Sequence, residues 1–118
     1  MDERRTLRVS EAVREELVEL IGFEMDDPRL LSVEVTDVHV SQDGKYAAVR
    51  VAVRGEEHEQ KLAMVALEHA KKFLRHELAV RLLLRYTPEL HFERDQNPDV
   101  DSRIDILLKR AKRRRGEK

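Results

Sequence analysis

The amino-acid sequence predicts an α+β fold in which one three-stranded sheet carries its helices on a single face. Three observations indicate this class: an amphipathic helical pattern opens the chain, an Asp-Gly turn separates two strand-like runs, and a long helical run precedes a third short strand. The predicted order is α-β-β-α-α-β, followed by a terminal helix. A chain of 118 residues fits one domain of this kind.

The first predicted helix runs from Leu7 to about Phe23. Its apolar residues recur at spacings of three and four, which is the period of one helix face; they are Val9, Ala12, Val13, Leu17, Leu20 and Ile21. Glutamates occupy most of the other face. Gly22 and the sequence Asp26-Asp27-Pro28 are stop signals, so we expect the helix to end there.

A hairpin follows this helix. In the first strand, Leu31–Val40, the alternation of valines changes parity, which predicts a β-bulge near Thr36 and Asp37. Ser41–Gly44 contains Asp-Gly, a strong signal for a hairpin turn. Tyr46–Arg54 is the second strand, and its odd-numbered apolar residues share one face.

The next helical pattern spans about 28 residues, from Glu57 to Leu84. Because that is long for a small domain, we expect two helices or one kinked helix. The predicted apolar stripe comprises Leu62, Val65, Ala66, Ala70, Phe73, Leu74, Leu78 and Leu82. A short third strand, Glu89–Glu93, follows Pro88. We expect Phe73, Leu90 and Phe92 to lie in the core.

The charge is divided unevenly along the chain. From Arg103 to Lys118 eight residues are basic and two are acidic, a net charge of +6, whereas the other 102 residues carry 15 basic and 22 acidic side chains, a net charge of −7. A last helix capped by Asp101 or Ser102 is predicted to lead into this basic tail. Basic tails of this kind often contact nucleic acid, although a terminus that only aids solubility has the same composition.

A second basic cluster lies on the long helical run. Between Lys61 and Arg85 there are six basic and two acidic residues. A positive field of this kind attracts a phosphate backbone, although a solvated helix face has the same composition. Aromatic residues make up only 4% of the chain, so broad platforms for stacking bases are not expected.

The sequence gives no sign of catalysis. The absence of cysteine excludes disulfides, cysteine-bound zinc and thiol chemistry. No serine lies in a nucleophile elbow, and the four glycines form no phosphate-binding loop. The histidine spacings do not suit zinc, and the calcium-loop pattern that starts at Asp95 fails at Val100. We therefore expect no enzyme, no catalytic residue, no cofactor and no metal.

The N-terminus has no apolar segment of the secretory type, and no apolar run approaches the roughly 20 residues of a membrane helix. We therefore expect a cytoplasmic protein that does not act at a membrane.

Several short motifs occur in one order along the chain. They are Arg5-Thr6-Leu7-Arg8-Val9, Asp27-Pro28-Arg29-Leu30, Val38-His39-Val40-Ser41 with Asp43, Ala70 with Phe73-Leu74-Arg75, and Leu84-Arg85-Tyr86-Thr87-Pro88-Glu89-Leu90 with Phe92 and Asp95. Together they resemble the ribosome-binding factor A family over roughly residues 5–95.

The resemblance implies a type II KH-like domain over residues 1–98, with a C-terminal helix and basic tail over residues 99–118. In that family an Ala-x-Gly triplet interrupts the central helix. The matching triplet here is Ala70-Lys71-Lys72, so the glycine is missing and the break is in question.

The resemblance also implies a function. Members of the family are non-catalytic assembly factors that bind the free 30S ribosomal subunit and act late in the maturation and processing of 16S rRNA. They are associated with growth in the cold, and a ribosome-assembly GTPase is implicated in their release. We expect a monomer without a small-molecule substrate.

Phosphate contacts from two regions follow as a hypothesis, with rRNA shape supplying specificity. The predicted RNA-binding residues are Arg5, Arg8, Lys71, Lys72, Arg75, Arg81, Arg85, Lys109, Arg110, Lys112, Arg113, Arg114 and Arg115. The alternative is a protein-interaction module that acts through the open sheet face or the acidic face of the first helix.

Overall fold

A computed structural model describes residues 2–95 of the chain. The C-terminal helix and basic tail predicted for residues 99–118 lie outside this range. The described part is an α+β, KH-like domain with a three-stranded sheet. Its elements in chain order are α1 (Glu3–Glu19), β1 (Val33–Val40), β2 (Tyr46–Val53), α2 (Glu57–Leu82) and β3 (Glu89–Arg94).

Helix α1 begins four residues earlier than its apolar pattern suggests. The Asp2 carboxylate caps it by accepting a hydrogen bond of 2.7 Å from the Arg5 backbone N–H. The helix continues into one wide π-helical turn, Leu20–Glu24, and the chain then makes a short 3₁₀ turn, Pro28–Leu30. The polar first turn carries no apolar residue toward the core, which is why periodicity alone missed it.

The sheet has β2 at its centre, with β1 antiparallel to it and β3 parallel to it. The predicted bulge is confirmed, because the β1–β2 register shifts between Val35 and Asp37. The predicted turn is confirmed as well, with Gly44 at a φ of 77° that favours glycine. Both helices pack on one face of the sheet, as predicted.

The core consists of aliphatic side chains from both helices and the inner sheet face. Residues with no exposed surface include Val13, Leu17, Val49, Val51, Leu67, Leu74, Leu78 and Leu90. Phe92 is half-buried and packs against them, so Leu90 and Phe92 lie where the sequence predicted.

Of the two alternatives predicted for residues 57–84, two helices or one kinked helix, the two-helix alternative is wrong, because the structure has a single helix here. Helix α2 is continuous for 26 residues and passes through Ala70, Lys71 and Lys72 without a break. All three residues favour the α-helix, and the glycine that would weaken it is absent. The helix ends instead at Leu83, whose left-handed backbone (φ 52°, ψ 39°) turns the chain toward β3.

The predicted core position of Phe73 is also wrong, because this side chain is 49% exposed. Leu62 and Val65 of the predicted stripe are exposed as well. The buried face of α2 comprises Ala63, Ala66, Leu67, Ala70, Leu74 and Leu78. Three of these six residues are alanines, so the buried face contains smaller residues than a search for large apolar side chains selects.

Within residues 2–95, none of the helices combines the length and the apolar character needed to cross a membrane.

Candidate nucleic-acid interface

Three adjoining hollows mark the end of the domain where α1 begins and α2 ends. The first, of about 550 Å³, has Arg5 and Arg8 in its wall, and the second, of about 300 Å³, has Arg5 and Arg85. The third, of about 430 Å³, includes Lys72, Arg75 and Arg85. Because Arg5 and Arg85 are each shared by two hollows, the three form one continuous depression.

We call this depression the basic groove and define it by Arg5, Arg8, Lys72, Arg75 and Arg85. The structure thus brings together five of the seven cations that the sequence predicted as RNA contacts within the domain. Lys71 and Arg81 do not line it. The predicted contacts Lys109, Arg110, Lys112, Arg113, Arg114 and Arg115 lie outside the described residues.

Helix geometry explains how the cations come to lie in pairs. Arg5 and Arg8 are three residues apart on α1, and Lys72 and Arg75 are three residues apart on α2, so each pair shares a helix face. Arg85 lies in the loop after Leu83, between the two pairs.

Arg75 has a structural role in addition to its place in the groove. Its guanidinium donates two hydrogen bonds, of 3.3 Å from Nε and 3.1 Å from Nη2, to the backbone carbonyl of Thr87. These bonds hold the loop between α2 and β3 against the helix. Since this loop carries Arg85, Arg75 positions a neighbouring cation of the groove.

Ion pairing separates the groove cations from the other two predicted contacts. Within the described part of the chain, no carboxylate forms an ion pair with Arg5, Arg8, Lys72 or Arg85. In contrast, the Lys71 ammonium lies 2.9 Å from a Glu68 carboxylate oxygen. The groove therefore retains positive charge that is available to a ligand.

Arg81 is the most heavily paired cation among the predicted contacts. Its guanidinium donates to the carboxylates of Glu24, Glu77 and Glu16, at 2.7 Å for the Nη1–Glu24 Oε2 bond. The network raises the pKa of Arg81 and lowers that of Glu24. This arrangement joins α2 to α1 and leaves little net charge at Arg81 for RNA.

The open face of the sheet has the opposite charge. Glu34, Asp37, Glu89 and Glu93 project from this face, because the alternate residues of each strand are buried against the helices. Arg50 lies among them, with its Nε 3.8 Å from Glu93. A polyanion is repelled from this acidic face, so the domain has one side suited to phosphate and one unsuited to it.

Two groove residues were missed by sequence reasoning. Tyr86 is 64% exposed, and the Arg85 guanidinium lies 5.5 Å from the centre of its ring. Asp43 of the hairpin turn lines the same hollow. In the sequence, Tyr86 and Asp43 appeared only within a turn signal and motifs that carry the family resemblance, and the approach of the hairpin turn to this loop is a tertiary contact.

Groups of three or more side chains able to hold a metal ion are absent from residues 2–95.

Comparison with known proteins identifies the family of this chain. A model of the family described as ribosome-binding factor A matches residues 5–108. A relative from Solibacter usitatus with that name is 66% identical over 116 residues, covering 98% of this chain and 94% of its own length. The chain belongs to the ribosome-binding factor A family.

Other members of the ribosome-binding factor A family agree in sequence and in fold. The relative from Koribacter versatilis is 43% identical over 108 residues, 92% of this chain and 88% of its own. The crystal structure from Thermus thermophilus has a TM-score of 0.67 at 31% identity, covering 75% of this chain and 94% of that one. The solution structure from Thermotoga maritima has a TM-score of 0.70 at 30% identity. The match covers 82% of this chain and 92% of the Thermotoga maritima chain.

A third structural relative adds a description of a complex. It is a homology model of the Thermus thermophilus factor fitted into a cryo-EM map of a 30S complex, with a TM-score of 0.56 at 31% identity. The match covers 79% of this chain and 93% of the homology model. The family name and this complex both concern the ribosome, which agrees with the resemblance seen in the sequence.

Proposed function

We propose that this protein binds the free 30S ribosomal subunit through the basic groove and, without catalysing a reaction, assists late maturation and processing of 16S rRNA. The observation that carries the proposal is that Arg5, Arg8, Lys72 and Arg85 line one depression and form no ion pair with a carboxylate of residues 2–95. The 30S complex of the Thermus thermophilus relative supports the choice of partner.

In this mechanism the groove contacts phosphates and thereby sets the register of the domain on rRNA. Such contacts carry little base information, so specificity comes from the shape of the rRNA. The acidic sheet face limits the contact to one side, because phosphate is repelled there. Lys71 and Arg81 act in the fold, and the cations from Lys109 to Arg115 extend the positive surface beyond the domain.

The proposal also covers where the protein acts and how it leaves the ribosomal subunit. The protein acts in the cytoplasm as a monomer, supports growth in the cold, and leaves the subunit with the help of a ribosome-assembly GTPase. Membership of a family named for ribosome binding is consistent with this setting. Deletion of the gene, followed by measurement of precursor 16S rRNA, tests the maturation step: the precursor accumulates if the proposal holds, and normal processing in the cold contradicts it.

Co-sedimentation of the purified protein with 30S, 50S and 70S particles at two salt concentrations tests the binding step. We expect selective recovery with 30S that weakens as salt rises, because phosphate contacts release counterions. Equal recovery with every particle would indicate unspecific binding by the tail. Recovery that is insensitive to salt would contradict the phosphate mechanism.

The acidic sheet face supports one alternative, a protein-interaction module. Its carboxylates Glu34, Asp37, Glu89 and Glu93 suit a basic protein surface better than they suit RNA. Treatment of the 30S particle with RNase separates the two functions. Loss of binding after rRNA digestion supports the groove, and retention by the remaining ribosomal proteins supports the sheet face.

A further inference from the structure

We propose that the middle hollow of the basic groove holds one unpaired nucleotide of rRNA, with its base against Tyr86 and its phosphate between Arg5 and Arg85. The inference rests on the proposed function and deepens it, because it names the part of the RNA that the groove takes. It also assigns a role to Tyr86 and Asp43. Phosphate contacts alone do not explain why these two residues line the groove.

The hollow has the size and lining of a small-ligand site. Its volume of about 300 Å³ lies at the lower end of the range of roughly 300–1,000 Å³ that is typical of such sites. Val9 and Leu84 supply half-buried apolar surface, and the Tyr86 ring supplies an exposed aromatic face. A flat base stacks on such a ring and is shielded from water by the two aliphatic side chains.

Two cations stand where the sugar-phosphate backbone of a stacked nucleotide must pass. Arg5 comes from α1 and Arg85 from the loop after α2, so they approach the hollow from different elements. Neither guanidinium forms an ion pair with a carboxylate of residues 2–95. Arginine suits this task because its planar group bonds two phosphate oxygens at once.

The loop that carries Tyr86 is held in place before any ligand arrives. The left-handed backbone of Leu83 directs it, Arg75 binds the carbonyl of Thr87, and Pro88 is fully buried behind it. The Arg85 guanidinium lies 5.5 Å from the Tyr86 ring centre and restrains the ring by a cation–π contact. A ring that is already oriented loses less entropy when a base stacks on it.

Asp43 determines how a nucleotide is oriented in the hollow. Its Oδ1 accepts hydrogen bonds from Ser41 Oγ at 2.6 Å and from the Lys45 backbone N–H at 3.0 Å. These bonds lower the pKa of the Asp43 carboxyl below its ordinary value of 3.8 and so further favour the carboxylate form. The carboxylate repels phosphate and accepts hydrogen bonds from the amino or imino groups of a base. The base edge therefore faces the hairpin turn while the phosphate faces the arginines.

The second tyrosine of the chain provides an internal control. Tyr46 is 49% exposed, comparable to Tyr86, but it lies at the start of β2 next to His91, with ring centres 5.5 Å apart. No arginine lies over its ring in the described structure. Because the chain has two tyrosines and no tryptophan, each ring gives a separate signal that is easily assigned.

The direct test is an aromatic ¹H–¹³C correlation spectrum of the full chain with labelled tyrosine, titrated with hexaadenylate RNA and with an abasic hexamer of the same backbone. We expect hexaadenylate to move the Tyr86 ring protons upfield and to leave Tyr46 in place. The abasic hexamer should move neither ring. Equal shifts of both rings, or an unmoved Tyr86 in the presence of bound hexaadenylate, would overturn the proposal.

Variants extend the test to the 30S particle. Since stacking of one base on an aromatic side chain corresponds to roughly a 5- to 150-fold change in affinity, we expect Tyr86→Ala to weaken 30S binding by a factor in that range. Tyr86→Phe keeps the ring and should bind within about twofold of the native chain. Tyr46→Ala is the matched control and should leave affinity unchanged.

The outcomes separate the two proposals. Salt-sensitive binding to 30S that is the same for the native chain and Tyr86→Ala would overturn the nucleotide pocket and leave the proposed function standing. Failure of the native chain to bind 30S would overturn the proposed function, while the titration with hexaadenylate would still decide the pocket.

Discussion

Ser10 shows how much of this fold depends on single polar side chains. It is 5% exposed, and its Oγ accepts a hydrogen bond of 2.9 Å from the backbone N–H of Val40. The bond joins α1 to the end of an edge strand. The sequence around Ser10 does not reveal this role, because the hydrogen-bond partner lies 30 positions away along the chain.

The substitution Ser10→Ala tests this contact. It leaves a buried N–H without an acceptor, so we expect the free energy of unfolding to fall by about 1–3 kcal/mol. Urea denaturation followed by circular dichroism measures the change. Ser32→Ala is the control, because the Ser32 hydroxyl makes no hydrogen bond within the described residues, and it should cost less than about 0.5 kcal/mol. Equal losses in both variants would contradict this account of Ser10.

The ion-pair network around Arg81 predicts a dependence on pH. Arg81 lowers the pKa of the Glu24 carboxyl below its ordinary value of 4.5 in the folded state. A lowered pKa contributes stability above the ordinary value, and this contribution is lost as the pH falls through the folded-state pKa. We expect Glu24→Gln to lower the urea midpoint at about pH 7, and we expect its difference from the native chain to be smaller at about pH 3. A difference that is the same at both pH values would exclude this linkage.

At the scale of elements, the hairpin was predictable and the long helix was only partly so. The valines of β1 change parity at Thr36, and a bulge is the simplest backbone that keeps both sets of valines buried. For α2 the sequence indicated the correct period, but the predicted stripe contained the exposed Phe73 together with the buried Leu74. Which side of the helix faces the sheet depends on tertiary packing, which the helical period alone does not decide.

The continuity of α2 has a testable consequence at Lys72. In the middle of an unbroken helix, Lys72→Gly should lower the free energy of unfolding by about 1 kcal/mol relative to Lys72→Ala. Both variants remove the same charge, so their comparison isolates the backbone. Urea midpoints measure the difference. Equal stability of the two variants would indicate that the helix is broken at the Ala70–Lys72 triplet after all.

At the scale of the whole molecule, the division of charge is the feature that connects sequence to function. Composition predicted a basic tail and an acidic body, and this contrast follows from counting residues. Counting could not show that the body is itself divided into a basic groove and an acidic sheet face. That division depends on which cations pair with carboxylates: within residues 2–95, Arg81 forms such pairs and Arg85 forms none.

The tail gives a prediction of its own. Truncation after Leu108 removes the cations from Lys109 to Arg115 and should weaken binding to 30S, because fewer counterions are released. The core of residues 2–95 does not include this segment, so the thermal midpoint should remain near that of the full chain. Co-sedimentation and a thermal scan measure the two effects. Unchanged binding, or loss of cooperative unfolding, would contradict the assignment.

The central claim is that the groove cations, which form no ion pair with a carboxylate of residues 2–95, contribute more to 30S binding than the paired cations elsewhere on the domain. Its most direct test is the salt dependence of 30S affinity for Arg5→Gln/Arg85→Gln and for the control Arg14→Gln/Arg50→Gln. Both variants lose two positive charges, but the control arginines are paired with Glu11 and Glu93. We predict that the slope of log affinity against log salt falls by about 1.5–2 for the groove variant and stays unchanged for the control. Equal slopes for the two variants would contradict the account.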